Sequence, residues 1–187
     1  MTLSTIREQL RLLSFLQGLT DTALHQLAQQ VSVEEFPAEH SLFVEGAPRK
    51  MLALLVHGSV SIEKTQNARP VRLATLGAGE AVGEGILLDD SPHGTTARTL
   101  ERTTAFVLTR ERTEAMLKEN PTLYAALVAR AASSISRRLA ATDATMIGRG
   151  RRLGFAGAVT RTEKDLLGTR ELPDDALYGI QTLRAME

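Results

Sequence analysis

The sequence predicts a mainly β fold, an antiparallel sandwich or barrel with helices on either side of it. Two observations carry this: a middle region of short, evenly spaced apolar segments, and a change to helical spacing at both of its ends. From Val31 to Thr109 the chain is punctuated by Pro37, Gly46, Pro48, Gly58, Pro70, Gly77, Gly79 and later glycines and prolines, the signature of short strands joined by tight turns. Before it, Leu3, Ile6, Leu10 and Leu13 recur at helical spacing, and Leu24, Leu27, Ala28 and Val31 repeat the pattern after Gly18. Thr20 or Asp21 is placed to cap the second of these helices.

Within the middle region the expected strands are Ser32 to Phe36, Ser41 to Val44, Met51 to His57, Ser59 to Glu63, Val71 to Leu76, Thr96 to Leu100 and Thr104 to Leu108. Helical period returns at Arg112 to Leu117. Asn120 then precedes Pro121, an N-cap followed by a first-turn proline, and predicts a long helix to about Ile147. Its stripe of Leu123, Ala126, Leu127, Ala131, Ile135, Leu139 and Ala140 serves either packing on its own domain or a dimer seam, and the two are compatible. Gly148 to Thr160, rich in glycine and carrying Arg149, Arg151 and Arg152, reads as a linker whose charge run is solvated or binds phosphate.

Composition narrows the function. The 187 residues allow one domain and an appendage. Lysine plus arginine and aspartate plus glutamate both number 22, so no global field attracts nucleic acid or an anionic membrane. There is no cysteine, which excludes disulfides, a thiol nucleophile and cysteine-ligated metals, and fits a reducing cytoplasm. Aromatics are 4% with no tryptophan, which argues against a base-stacking platform. Met1 to Leu10 contains no export signal, and the apolar run Met51 to Val56 is far below the roughly 20 residues of a membrane helix. His25, His40, His57 and His93 are scattered without metal-ligand spacing, and no nucleophile, base and acid set is evident, so the chain by itself is not expected to be an enzyme.

The segment richest in chemistry is Leu76 to Leu88, which passes from a strand through Gly77, Gly79, Gly83 and Gly85 into a short apolar turn. Backbone N–H groups freed by glycine converge on anions, although turns between strands need glycine for purely conformational reasons as well. Glu84, within that loop, would repel a phosphate but accept hydrogen bonds from a ribose hydroxyl placed beside it.

Joint spacing extends this reading. Leu19 with Leu24, Leu27 and Ala28, Leu42-Phe43 with Glu45-Gly46, Leu55 with Gly58, Val60 and Ile62, Leu76 with Gly79, and Gly83-Glu84 occur together, and Leu16 to about Asp143 resembles the cyclic nucleotide-binding domain of the catabolite activator and protein kinase A regulatory families. The resemblance implies an eight-stranded β-roll of jelly-roll type flanked by an N-terminal helical segment and two C-terminal helices. It implies a nucleotide site around Gly83, Glu84, Gly85, Ile86, Thr95, Thr96 and Ala97, with cyclic AMP or cyclic GMP as effector. The family's Arg-Ser/Thr-Ala tripeptide is matched at Thr96 and Ala97, but Thr95 stands where the phosphate-gripping arginine belongs. His93 and Gly94 do not restore it, and Arg98 would reach the site only through a shift of strand register. Loss of one charge-assisted hydrogen bond, about 1.5–3 kcal/mol, weakens binding roughly ten- to a hundredfold or more. The DNA-reading helices that often follow this domain have no counterpart after Ile147, so neither nucleic acid nor membrane is an expected partner. A small-molecule effector and a homo-oligomer are.

The tail, Arg161 to Ala185, lacks the periodicity of an independent core and reads as an extended, turn-rich arm. Its Glu163-x-Asp165-x-x-Gly168, Pro173-x-Asp175-Ala176-x-Tyr178-Gly179 and Gln181-Thr182-x-Arg184-Ala185 closely resemble the N-terminal opening of aspartate ammonia-lyases of the aspartase and class II fumarase superfamily. That family converts L-aspartate to fumarate and ammonia using motifs far downstream. The expected organisation is therefore a cyclic nucleotide-binding-like domain over residues 1–147, a linker over 148–160, and the first residues of a lyase over 161–187, cut before its catalytic core. The competing expectation is a ligand-free assembly module built on the same fold.

Overall fold

The computed structural model describes residues 1–152, 160–165 and 168–173, with side chains through residue 140. The chain divides into two units, Met1–Leu139 and Ala140–Glu187.

In the first unit, helix α1 (Leu3–Leu12) leads through a 3₁₀ turn, Ser14–Leu16, to helix α2 (Asp21–Ala28). Thr20 is the N-cap of α2 and its hydroxyl accepts from Ala23 N at 3.2 Å, leaving Asp21 as the first helical residue, favourably placed against the helix dipole. Eight strands follow: β1 (Ser32–Phe36), β2 (Ser41–Phe43), β3 (Met51–His57), β4 (Val60–Gln66), β5 (Arg69–Leu76), β6 (Ala81–Val82), β7 (Thr96–Thr99) and β8 (Thr103–Thr109). They form two antiparallel four-stranded sheets, in the orders β1-β8-β3-β6 and β2-β7-β4-β5. The expected β-roll is what the chain adopts.

Two cores explain why β3 and β8 are apolar on both faces. Leu52, Leu54, Phe106 and Leu108 pack against the helical residues Leu10, Leu24, Leu27, Leu123 and Leu127. Ala53, Leu55, Ala105 and Val107 point the other way, into the space between the sheets with Val60, Leu76 and Ala97. Strand alternation thus lets one sheet bury both surfaces.

Sequence and structure differ in the details that pairing decides. Pro70, one of the residues expected at the turns, lies inside β5, opposite Thr65; β5 is the outer strand of its sheet, where a missing N–H costs no ladder bond. The short β6 has no sequence signal of its own and exists because Ala81 and Val82 pair with Leu54 and Ala53. Helix α3 (Arg110–Glu119) is capped by Thr109, and helix α4 (Pro121–Arg152) by Asn120, whose Oδ1 accepts from Leu123 N at 3.1 Å. Helix α4 passes its predicted end at Ile147. Glycine lowers helix propensity by about 1 kcal/mol, but a helix already nucleated propagates through isolated glycines such as Gly148 and Gly150.

In the second unit, β9 (Thr160–Asp165) and β10 (Gly168–Pro173) form an antiparallel pair with Gly168 opposite Asp165 and Pro173 opposite Thr160. Within the segment read as an extended, turn-rich arm, residues 160–165 and 168–173 thus pair as two strands. The lyase-like positions Asp175, Tyr178, Thr182 and Arg184 lie outside the described residues.

Candidate functional site

The glycine-rich loop becomes a defined cassette. Gly83 has φ 82° and ψ 19°, the left-handed region, and a Cβ there would lie 2.6 Å from Met51 O. Only glycine makes that turn without strain. It opens a 3₁₀ turn, Glu84–Leu87, in which Ile86 and Leu87 are anchored in the helical core.

Glu84 is 4% exposed. Its carboxylate meets the guanidinium of Arg138, on α4, with Nη2 2.5 Å from Oε1. Arg138 Nη2 also donates to Ala81 O at 2.7 Å and Ser134 Oγ at 3.0 Å. Burial pushes the Glu84 carboxyl above its ordinary range, and the Arg138 charge opposes that rise. A second link from the same helix comes from Tyr124, whose hydroxyl donates to Leu87 O at 2.8 Å. Helix α4 thus holds the cassette at both ends of its 3₁₀ turn.

Arg49, in the connection between β2 and β3, approaches from the other side. Its guanidinium occupies the space a side chain at Gly85 would take, since a Cβ there would lie 2.6 Å from Cζ. Arg49 Nη1 donates to Gly85 O at 2.8 Å and to Asp89 Oδ1 at 2.6 Å. Arg110 continues the arrangement, with Nε donating to Arg49 O at 2.8 Å and Nη1 to Asp90 Oδ1 at 2.7 Å. Two arginines therefore hold the acidic end of the cassette.

Beside it, His93 stacks on Phe43 with ring centroids 3.6 Å apart and an angle of 4° between planes. Burial, aided by the nearby Arg49 charge, lowers the His93 pKa to about 4, so the imidazole is neutral at physiological pH.

The remaining sequence-identified residues divide by strand alternation. Thr95 is half-buried immediately before β7. Thr96 Oγ1 accepts from Glu45 N at 3.0 Å, and Glu45 is itself bonded to Lys64 Nζ at 2.8 Å and Thr65 N at 3.0 Å. Those two partners hold the Glu45 carboxyl below its usual range. Ala97 is fully buried between the sheets. Arg98 alternates with Ala97 and Thr99 along β7 and donates to Glu39 O at 3.3 Å. Gly83, Glu84, Gly85 and Ile86 are contiguous in one turn. Arg49 and Arg138 were not singled out for the site from the sequence, because each reaches it through contacts to distant residues that no local motif encodes.

Among the described residues, no helix is long and apolar enough to cross a membrane.

Comparison with known proteins agrees with the β-roll fold. Residues 33–120 match the family model "Cyclic nucleotide-binding domain". A CRP-like cAMP-activated global transcriptional regulator of Mycobacterium tuberculosis is 26% identical over 128 residues, 68% of this chain and 55% of that protein. The chain therefore spans about half the length of that curated relative. The aspartate ammonia-lyase of Pseudomonas aeruginosa is 72% identical over 29 residues, 16% of this chain and 6% of that enzyme. Among solved structures, a cyclic nucleotide-binding domain from Methylobacillus flagellatus superposes with a TM-score of 0.68 at 21% identity, covering 79% of this chain and 83% of that one. Residues 33–120 thus match the cyclic nucleotide-binding domain model, and the β-roll around them is the fold of that solved domain.

Proposed function

We propose that this domain senses a cyclic nucleotide and reports its occupancy through α4 to an aspartate ammonia-lyase that begins in the tail. The observation that carries the sensing half is the Glu84–Arg138 contact. The carboxylate suited to ribose hydroxyls is bonded to the helix that leads out of the domain, so a ligand that changes the setting of Glu84 changes what holds α4. The cassette residues fit such an effector in part. By residue type, Gly83, Glu84, Gly85, Ile86, Thr96 and Ala97 suit the site that the resemblance implies, while Thr95 offers a hydroxyl and no charge for the phosphate. The lyase half is supported by the 29-residue likeness of the tail to the enzyme of P. aeruginosa and the similar match to that of Escherichia coli.

Calorimetric titration with cyclic AMP and cyclic GMP, followed by hydrogen exchange over residues 81–88 and 121–139, tests the sensing half. The expected result is binding accompanied by altered protection of both segments. No heat at millimolar ligand overturns it. For the lyase half, the coding sequence beyond Glu187 is expected to continue into a lyase core, and aspartase kinetics of that protein are expected to respond to the nucleotide. Kinetics indifferent both to nucleotide and to deletion of residues before Arg161 would overturn the regulatory link.

A second reading, assembly without a ligand, is favoured by one feature of α4. Ile135 and Leu139 are 39% and 64% exposed, and with Val128 and Ala132 they follow alternating spacings of four and three. That is the pattern of a coiled-coil seam. Sedimentation of the chain with and without nucleotide separates the readings, since pure assembly predicts an oligomer indifferent to ligand.

A further inference from the structure

We infer that Arg49 is the residue that grips the phosphate of an anionic ligand in this cassette, taking over the position-specific role that Thr95 cannot fill. The inference rests on the nucleotide reading above and names the group that would give it preference for a charged ligand.

The argument begins with where the guanidinium lies. Arg49 arrives from outside the motif, 36 residues before Gly85, and lies flat against it, with the Cζ, Nη1 and Nε atoms 2.6, 2.8 and 2.9 Å from the position a Cβ would occupy. Any other residue at 85 would have to displace it. The combination of Arg49 and Gly85 therefore works as a unit that places a cation in the turn bearing Glu84. Its side chain is 16% exposed, so it is desolvated enough for a charge-assisted bond to be strong yet reachable from solvent.

The bonding pattern leaves the right edge for an anion. The contacts to Gly85 O, Asp89 O and Asp89 Oδ1 all leave from Nη1. Those bonds fix the plane of the group, while Nε and Nη2 form the edge that pairs with two phosphate oxygens side by side. Burial, and after it the Arg49 charge, keeps the His93 imidazole neutral. A neutral imidazole stacked on Phe43 leaves the guanidinium without a competing cation from that ring. Among the described residues, Asp89 is the carboxylate bonded to Arg49, and its side chain is 56% exposed, so water screens much of its opposition to an incoming anion. Arg98, the nearest basic residue in sequence to Thr95 on its C-terminal side, is engaged with Glu39 O.

The test compares a charged and an uncharged ligand on the full chain. Cyclic AMP and adenosine are titrated into the wild type, Arg49→Gln and Asp89→Asn, with circular dichroism and thermal melts to establish that each variant is folded. The wild type is expected to bind cyclic AMP more tightly than adenosine. Arg49→Gln is expected to weaken cyclic AMP about 10- to 100-fold and leave adenosine within about twofold. Asp89→Asn, which removes the opposing carboxylate, is expected to tighten cyclic AMP several-fold; it keeps the inference testable if Arg49→Gln does not fold. Cyclic AMP binding that neither variant changes overturns the role of Arg49 and leaves the nucleotide reading standing. Binding of neither ligand by the wild type overturns both.

Discussion

Replacing Arg138 with methionine isolates the contact on which coupling between cassette and helix depends. The methionine keeps the aliphatic packing of α4 but leaves the Glu84 carboxylate, 4% exposed, without its cation. Removing one partner of a fully buried pair costs about 3–5 kcal/mol. The Arg138 side chain keeps 29% of its surface, and water screens that part, so the expected loss is about 2–3 kcal/mol at neutral pH. The loss has a pH signature. Burial already holds the Glu84 carboxyl above its ordinary range, and without Arg138 it rises further. The folded state then binds the proton more tightly than the unfolded state, so stability falls as pH rises above the ordinary glutamate value toward the raised one, and is recovered on acidification. Urea unfolding at pH 7 and pH 5 measures it: the Arg138→Met deficit should shrink at the lower pH, and Glu84→Gln in the same chain should recover about 1–2 kcal/mol. A deficit below about 0.5 kcal/mol, or one that is the same at both pH values and in the Glu84→Gln background, would refute the reasoning and leave Arg138 as a packing residue.

Three further outcomes follow from the geometry. Ala68→Gly should stabilise the fold by about 0.5–1 kcal/mol in thermal melts, because Asn67 and Ala68 turn the β4–β5 hairpin with φ values of 50° and 59°, where a Cβ is strained. Thr99→Val should cost about 1–3 kcal/mol by urea unfolding despite its similar shape, since the buried Thr99 hydroxyl donates to Pro37 O at 2.7 Å and accepts from His40 N at 2.8 Å. Thr95→Arg should tighten cyclic AMP about 10- to 100-fold in calorimetry, and an unchanged affinity would mean that position 95 does not face the phosphate.

Much of the fold was legible because it depends on local patterns. Gly and Pro positions marked the turns, and unbroken apolar runs within Met51 to His57 and Thr104 to Leu108 marked the two most buried strands. Thr20 and Asn120 announced helix starts, since a cap needs only a side chain three residues from the N–H it satisfies. The candidate site was legible in part for the same reason: Gly83 and Glu84 are neighbours, and a left-handed glycine followed by an acidic residue is a local signal.

What the sequence determined by itself is therefore the alternation of strands and helices, the glycine cassette, and the absence of cysteine chemistry. Only the tertiary structure decided that Pro70 is tolerated on an outer strand, that Ala81 and Val82 pair at all, and that Arg98 bonds to Glu39 O. It also decided that Arg49 and Arg138 converge on one short turn from 36 residues before Gly85 and 57 residues after Ala81. The physical reason is range. Propensities, caps and turns are settled by a few adjacent residues, whereas a guanidinium's partner is whichever carboxylate or carbonyl the packed sheets bring within hydrogen-bond distance.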